Sequence, residues 1–467
     1  MLFHTFPFFL LYTITAVAYW SMKDEPKRVW WLVLASIVFY AKWNPWLVSV
    51  VLFTAAFDFY IAQRIEAATS VRRRKFLLVT SLLVSLSLLA FFKYTNFLID
   101  NGRLMLNLFG LELSGTTLKV VIPLGISFYT FETISYVVDV YLGRIKAERN
   151  GSNYALFLLF FPHLIAGPIV RAGHFLPQVR RRKFLNWERV QVGARLFLLG
   201  LFKKVVIADQ LATLIDPVFA NPGSWSSATT WVAVICYAVQ IYCDFSGYSD
   251  MAIGAAHGLG YHLPENFNMP YFSLNIAQFW QRWHISLSTW VRDYLYIPLG
   301  GNRYGTFKTY RNLMITMLLC GLWHGAGWTF VFWGFYHGFL LAVHRAVPWP
   351  SWLGKKILIP FRWATTFLLV CIGWVFFRAQ NFSNALMMLR RMFIPTEGLV
   401  LTTHVAMLAT GVLALVFLAH VLGAMVDWRK LEWPIAFPLV AAGMVAGFLL
   451  VQILMPANGG AFIYFQF

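Results

Sequence analysis

The chain has 467 residues, of which 59% are hydrophobic and only 12% are charged. Soluble globular domains carry about 25% charged residues, so this composition excludes an ordinary soluble protein and indicates an integral membrane protein. The formal net charge of +19 does not indicate nucleic-acid binding, because the Lys and Arg residues are grouped in short loops between apolar segments, where they meet anionic lipid.

The apolar segments are roughly 17 to 25 residues long, which is enough to cross a bilayer. They predict an all-α polytopic membrane protein with about eleven to twelve transmembrane helices, in a single domain that covers residues 1–467. In chain order the predicted spans are Phe3–Trp20, Val29–Ala41, Trp46–Gln63, Phe76–Phe92, Val120–Leu142, Val192–Phe219, Thr229–Phe245, Asn312–Gly325, Trp328–Val343, Trp363–Phe377, Thr402–Val426 and Ile435–Met455.

The basic loops predict the orientation. Loops 21–28 and 64–75 flank one pair of predicted spans and must face the same side, and both are rich in Lys and Arg. The positive-inside rule places them in the cytoplasm and the N-terminus outside it. Loop 171–189 falls on the cytoplasmic side as well, whereas Arg390 and Arg391 fall on the opposite side and indicate an interfacial helix.

Three segments differ from a plain spanning helix. Tyr154–Pro168 is short and contains two prolines, which predicts a re-entrant segment. Phe272–Pro298 mixes aromatic and charged residues, which predicts helices that lie in the interface or pack obliquely. Val121–Tyr129 contains a proline and a glycine that weaken a straight helix.

His324 lies in the apolar run Cys320–Ala326, where an ionisable side chain is costly and its presence favours a functional role. Histidine titrates near neutrality and can carry a proton. The glycines around it leave room for a substrate, and Trp323 can form one wall of such a site. The alternative is a structural histidine that forms a hydrogen bond across a helix contact.

His284 lies in the amphipathic run Gln278–Ser288. It can orient a substrate opposite His324, or it can be an interfacial histidine that contacts water or headgroups. The stretch Asp244–Asp250 is a polar patch at a helix end, which is either a cap or a turn that contacts substrate. No metal-ligand spacing, nucleotide-binding loop or nucleophile elbow is present, so neither a bound metal nor a bound cofactor is expected.

Two motifs, Gln278–Asn302 and Gly321–Ala326, resemble those of the membrane-bound O-acyltransferase family, and in particular its alginate O-acetylation branch. The resemblance implies a ring of tilted helices around a tunnel, with the histidine of the Trp-His-Gly motif, His324, as the catalytic residue. His284 matches the second important position. Further stretches that resemble the family are Pro123–Phe131, Phe161–Arg171, Tyr242–Asp250 and Phe462–Phe467.

On this resemblance His324 and His284 are the expected catalytic residues, and acetyl-CoA or another acyl thioester is the expected donor. His324 acts as a general base or as a transient acyl carrier, and His284 orients the acceptor or stabilises developing charge. The residues expected to contact substrate are Trp323, Arg282, Trp283, Ser286, Asp244 and Asn302.

The expected setting is the bacterial inner membrane. The acyl group passes from the cytoplasmic side toward extracytoplasmic acetyltransferase partner proteins, with an exopolysaccharide as the final acceptor and no nucleic acid involved. Two alternatives remain open. One is D-alanyl transfer to a cell-wall polymer, and the other is a transporter that carries an acyl compound without breaking a bond. The scarcity of acidic residues in the apolar segments argues against the transporter.

Overall fold

A computed structural model describes residues 1–111, 117–347 and 355–426, together with a few positions between 442 and 453. Over these residues the chain consists of helices and connecting loops, with one isolated β-bridge, which confirms the all-α prediction. The helices divide into two compact units, residues 1–193 with 252–264 and residues 194–251 with 265–467. The single domain predicted from the sequence stays a prediction.

The first unit contains nine whole helices and parts of two more. The helix α10 (Trp187–Phe202) begins in the first unit, and the long helix α12 (Ser227–Gly258) ends in it. The nine whole helices are α1 (Phe6–Ser21), α2 (Glu25–Ala41), α3 (Val48–Ala67), α4 (Val71–Leu89), α5 (Thr95–Leu108), α6 (Ile126–Tyr141), α7 (Gly151–Leu159), α8 (Phe161–Leu164) and α9 (Ala172–Arg180).

The second unit holds the rest of α10 and α12, and a π-helical stretch, Lys203–Ala208, follows α10. Both histidines singled out in the sequence belong to this unit. Its whole helices are α11 (Asp209–Ala220), α13 (Ile276–Arg282), α14 (Ile285–Val291), α15 (Thr306–His324), α16 (Trp328–Ala346), α17 (Ile359–Arg378), α18 (Phe382–Phe393) and α19 (Thr403–Met425).

Helices coincide with all the predicted spans except Ile435–Met455, most of which lies outside the described residues. Five helical segments in the described part of the chain are long and apolar enough to cross a membrane. The other predicted spans fall short because they are brief or carry polar groups. The five segments are Val48–Ala67, Val71–Leu108, Ser227–Gly258, Lys356–Arg378 and Thr403–Met425.

The interrupted segments predicted in the first unit are interrupted in the structure as well. The helix α6 begins only after Gly125, whose φ of +72° favours glycine, and a Cβ there would clash with the carbonyl oxygen of Leu164. Between α7 and α8 the helix breaks at Phe160, two residues before Pro162. Residues 156–170 are buried throughout, so other parts of the protein surround this broken backbone.

In the second unit α15 and α16 form a tight antiparallel pair because glycines face each other across it. A Cβ built on Gly321 would clash with the carbonyl oxygen of Phe330 and would lie 3.0 Å from the Cα atom of Gly334. No side chain larger than hydrogen fits at this crossing. The crossing lies one turn before His324, so it fixes where the end of α15 lies against α16.

We expect Gly321→Ala to lower the free energy of unfolding by about 1–3 kcal/mol, since an added methyl group forces α15 and α16 apart. The displacement of His324 should lower acyl-transfer activity as well. Thermal unfolding in detergent and activity measured on the same samples test both effects. Gly411→Ala in α19 is the matched control, because a Cβ there meets nothing within 4 Å and the change should lower neither stability nor activity.

Candidate active site

His324 is the last residue of α15 and only 3% of it is exposed. Its Nδ1 lies 2.7 Å from the carbonyl oxygen of Cys320, one turn earlier in the same helix. A carbonyl oxygen can only accept, so Nδ1 carries the hydrogen and Nε2 is left as the basic nitrogen of the neutral ring. The helix itself therefore sets the tautomer that a general base requires.

Aromatic rings surround the His324 imidazole. The ring centroids of Trp323 and Trp333 both lie 4.9 Å from it, and that of Phe377 lies at 5.5 Å. These walls belong to α15, α16 and α17, so three helices shape the site. Bulky apolar walls keep water away from the imidazole and strengthen its electrostatic interactions with any bound group.

His284 occupies an unusual backbone position. It precedes α14 with a φ of +43°, and besides Met269 it is the only residue other than glycine with positive φ in the described part of the chain. Such a conformation costs an ordinary L-residue of order 1–3 kcal/mol and persists only where the surroundings enforce it. The strain lies at a fully buried histidine, which favours a functional reading of that residue.

Asn266, which the sequence did not single out, holds His284 in place. Its Oδ1 accepts hydrogen bonds from the backbone N–H and the hydroxyl of Ser286, at 3.2 and 2.9 Å. Its Nδ2 donates to the hydroxyl of Ser249 at 3.2 Å. The backbone N–H can only donate, so the orientation of the amide is fixed.

The same Oδ1 lies 3.1 Å from His284 Nδ1. Because this oxygen is an acceptor, His284 Nδ1 must carry the hydrogen, and Nε2 is again the basic nitrogen. His284 lies between two seven-residue helices and outside the five candidate spanning segments. Burial lowers its pKa well below the usual range, and the nearby His324 lowers it further. His284 is therefore neutral at physiological pH.

The two histidines share one indole. The Trp323 ring lies 4.9 Å from the His324 ring and 6.2 Å from the His284 ring. Phe245 closes the other side of His284 at 4.6 Å, edge to face. The structure thus brings together three residues predicted to lie at the site, and in both histidines Nδ1 is the nitrogen that lies against a hydrogen-bond acceptor.

A cavity of about 180 Å³ with a mostly apolar lining lies beside Cys320, although neither histidine is part of that lining. Cys320, whose carbonyl oxygen holds His324, lines it together with Trp280 and Thr316. Arg292 and Tyr296 supply polar groups to the lining. An apolar cavity with a few polar groups is the usual form of a site for a small acyl compound.

The remaining predicted residues differ in where they lie. Ser286 is part of the Asn266 network, whereas Trp283 packs into an aromatic core against Trp374 at 4.9 Å. Arg282 is half-buried, and its carbonyl oxygen accepts from the backbone of Asn268 at 3.0 Å. Their contact with a substrate stays a prediction.

Asp244 forms a buried ion pair with Lys204 at 2.6 Å. Lys204 also binds Asp209 at 2.7 Å, so this network holds the π-helical stretch after α10 against α12. The next residue, Phe245, packs on His284. The stretch Asp244–Asp250 lies inside α12, so the helix end or turn predicted for it is wrong. Asn302 is exposed in the turn before α15 and lies outside the buried cluster.

The described residues contain no group of three or more His, Cys, Asp or Glu side chains arranged to hold a metal ion. His337, which shares a helix face with His344 in the sequence, is buried among aromatic rings. Trp333 lies 4.9 Å from its ring and Trp280 lies at 5.3 Å. The four cysteines are buried and form no disulfide.

A family model described as the membrane-bound O-acyltransferase family matches residues 150–348, which include both histidines. The chain is also 44% identical over 396 residues to a Pseudomonas aeruginosa protein named a probable alginate O-acetylase, and the match covers 84% of this chain and 75% of that protein. This chain belongs to the membrane-bound O-acyltransferase family. As a member of that family it is a multi-pass membrane O-acyltransferase.

Other relatives of this membrane-bound O-acyltransferase carry different names. A Helicobacter pylori peptidoglycan O-acetyltransferase is 41% identical over 392 residues, covering 78% of this chain and 73% of the relative. A Bacillus subtilis teichoic acid D-alanyltransferase is 28% identical over 279 residues, covering 56% of this chain and 70% of the relative. The family resemblance predicted from the two motifs is confirmed.

Two variants of Asn266 distinguish a role in positioning His284 from a role in stability alone. Asn266→Ala removes the acceptor of three hydrogen bonds and should lower stability by about 1–3 kcal/mol, together with activity. Asn266→Asp keeps the acceptor, and its negative charge should raise the pKa of His284 and shift the pH profile of acyl transfer toward higher pH. An unshifted profile in Asn266→Asp would contradict the positioning role.

The control for this pair of variants is Asn381→Ala. Asn381 also accepts a backbone hydrogen bond, from Asn384 at 2.9 Å, but it caps α18 and lies outside the histidine cluster. Loss of this cap should cost about 1 kcal/mol of stability and leave the pH profile of the enzyme unchanged.

Proposed function

We propose that this enzyme moves an acetyl group from a thioester donor to a hydroxyl acceptor, with His324 Nε2 as the general base. The observation that carries the proposal is the hydrogen bond from His324 Nδ1 to the Cys320 carbonyl, which leaves Nε2 basic inside the motif that the family model covers. Nε2 takes the proton of the acceptor hydroxyl while that oxygen attacks the thioester carbonyl.

The reaction balances without any other reactant. A bond forms between the acceptor oxygen and the acyl carbon, and the bond between that carbon and the donor sulfur breaks. The proton on His324 then passes to the leaving thiolate, so the products are an ester and a free thiol. The apolar cavity beside Cys320 supports this proposal because a short acyl group fits its size and lining.

His284 orients the acceptor hydroxyl in this proposal. With Nδ1–H directed at Asn266, its Nε2 accepts a hydrogen bond and does not donate one. The reacting hydroxyl gives its only hydrogen to His324, so His284 Nε2 accepts from a second hydroxyl of the acceptor, and as a neutral acceptor it does not suit a developing oxyanion. The tautomer therefore favours orientation of the acceptor over stabilisation of developing charge, the two roles expected from the sequence.

The proposed donor is acetyl-CoA, and the proposed direction of transfer is out of the cytoplasm. Acetyl-CoA approaches from the cytoplasmic side of a bacterial inner membrane, with the N-terminus extracytoplasmic and the helices arranged around a tunnel. The acetyl group reaches extracytoplasmic acetyltransferase partners, and an exopolysaccharide is the final acceptor. The names of the alginate and peptidoglycan relatives support acetyl transfer to a polymer, and the basic loops support the orientation.

The match to a teichoic acid D-alanyltransferase keeps D-alanyl transfer as a second candidate. Its 28% identity is lower than the 41–44% of the O-acetylating relatives, so the sequence favours acetyl transfer. Both reactions use the same base and differ only in the acyl group. A transporter that leaves the donor intact has no such relative among these proteins.

The experiment that tests the proposal is thioester cleavage by the purified protein. Acetyl-CoA labelled in the acetyl group is supplied together with an oligosaccharide acceptor and the extracytoplasmic acetyltransferase partner, and free CoA and acetylated acceptor are both measured. Release of both in equal amounts supports acetyl transfer. Cleavage of a D-alanyl thioester alone would favour the second candidate, and movement of intact acetyl-CoA without cleavage would favour a transporter.

A further inference from the structure

The first unit carries a basic groove outside the histidine cluster. We use this name for a cavity of about 620 Å³ between the loop after α9 and the end of α12. Four cationic side chains line it, and its lining contains no carboxylate. The residues that define the groove are Arg181, Arg182, Lys183, Arg189, Tyr261 and His262.

The arginines of the groove lack the carboxylate partners that neighbouring arginines have. Arg180, next in sequence, pairs with Glu148 at 2.6 Å, and Arg149 pairs with Glu66 at 2.6 Å. Within the described part of the chain no carboxylate lies within ion-pair distance of Arg181, Arg182 or Arg189. The fold thus pairs Arg180 and Arg149 beside the groove with carboxylates and leaves the three arginines inside it without an ion-pair partner among the described residues.

Lys183 forms the floor of the groove. Its ammonium lies 4.1 Å from the centroid of the Tyr261 ring and donates to the carbonyl oxygens of Gln178 and Arg181. Burial lowers the pKa of Lys183 to about 8; Glu25 opposes this change, and Arg189 and Arg28 add to it. A preorganised cation held among other cations gains from an anionic ligand, because the ligand compensates the repulsion.

The rim of the groove is apolar and exposed. Phe184, Leu185 and Trp187 are 67%, 46% and 56% exposed. Exposed aromatic side chains beside arginines are typical of a surface that meets the headgroup region of a bilayer. The volume, at about 620 Å³, is also that of a small-molecule site.

We propose that the basic groove binds the phosphate groups of an amphiphilic or nucleotide ligand. Two sources share this chemistry: the diphosphate nucleotide of an acyl-CoA donor and the headgroup of an anionic phospholipid. Arginine forks form paired hydrogen bonds to phosphate oxygens, and two adjacent arginines on one loop can hold a diphosphate. The nucleotide source rests on the proposed function, whereas the headgroup source is independent of it.

The test uses full-length protein in nanodiscs and a triple variant, Arg181→Gln, Arg182→Gln and Arg189→Gln. A matched control, Arg72→Gln, Arg73→Gln and Lys75→Gln, removes the same charge from an exposed stretch of α4. Size-exclusion profile and thermal unfolding establish that both variants are folded. CoA without an acyl group is the first probe, titrated in zwitterionic nanodiscs, and retention of phosphatidylglycerol by native mass spectrometry is the second.

The triple variant should weaken one of these interactions by about tenfold or more, since each lost arginine removes charge-assisted hydrogen bonds, and the control should weaken both far less. Weakened CoA binding assigns the groove to the nucleotide, and lost phosphatidylglycerol assigns it to the headgroup. Equal behaviour of the triple variant and the control with both probes would overturn the proposal. Neither probe requires turnover, so a failure of acyl transfer leaves this result interpretable.

Discussion

Replacing His324 with alanine is expected to lower acetyl transfer by about 10²–10⁴-fold, the usual contribution of a general base. The hydrogen bond from Nδ1 to the Cys320 carbonyl oxygen leaves Nε2 of His324 as the basic nitrogen. Among the described residues, no other histidine both donates to the carbonyl oxygen one helical turn earlier and packs against Trp323. His324→Ala should still fold and insert in the membrane, because it leaves the close backbone crossing of α15 and α16 at Gly321 unchanged. Release of CoA from acetyl-CoA measures the effect.

The matched control is His404→Ala. His404 is exposed in the first turn of α19, so its removal should leave the rate unchanged. Wild-type rates in His324→Ala, at equal amounts of folded protein, would contradict the role of general base. A residual rate that rises with added imidazole would support the role, because the small base fits the vacated volume.

His284→Asn is expected to lower the rate by about 10²-fold while leaving the fold intact, because the acceptor loses its orientation. The choice of asparagine follows from the backbone, since His284 has a φ of +43° and asparagine tolerates this region better than alanine. His284→Ala adds backbone strain of about 1–2 kcal/mol to the loss of the ring. Comparing the two variants separates the chemical role of the side chain from the cost of its conformation.

Kinetics decide what His284 does. If it orients the acceptor hydroxyl, His284→Asn should raise the KM of the acceptor and leave that of acetyl-CoA unchanged. An equal change in both KM values would indicate a general disturbance of the site. An unchanged rate with both substrates would contradict any part for His284 in the reaction.

The two histidines of the candidate site could be predicted from the sequence, but the residues that fix their positions and tautomers could not. The two histidine motifs were visible because ionisable residues are rare in apolar runs, and the structure brings them to one indole, Trp323. Asn266 was not visible, because it lies 18 residues before His284 in a loop and an isolated asparagine has no period or motif. The tautomers of His284 and His324 depend on the Asn266 and Cys320 oxygens, whose positions beside the rings only the folded structure shows.

The predicted spans show a similar division. Apolar runs located the helices, but the predicted span Thr229–Phe245 ends where α12 continues to Gly258, because buried ion pairs such as Asp244 with Lys204 let polar residues lie inside the helix. The sequence predicts loop 171–189 to be one basic cytoplasmic loop. The structure separates it, since Arg180 pairs with Glu148 while its neighbours line the basic groove. The sequence does not show this separation, because Glu148, the partner of Arg180, lies 32 residues earlier in the chain.

The central claim is that a thioester is cleaved at His324 and that its acyl group leaves on the opposite side of the membrane. The direct measurement uses proteoliposomes with acetyl-labelled acetyl-CoA outside, and with an oligosaccharide acceptor and the extracytoplasmic acetyltransferase partner inside. Wild-type protein should release CoA outside and place labelled ester inside, and His324→Ala should do neither. Labelled ester formed at the wild-type rate by His324→Ala, or intact acetyl-CoA inside the vesicles, would contradict the claim.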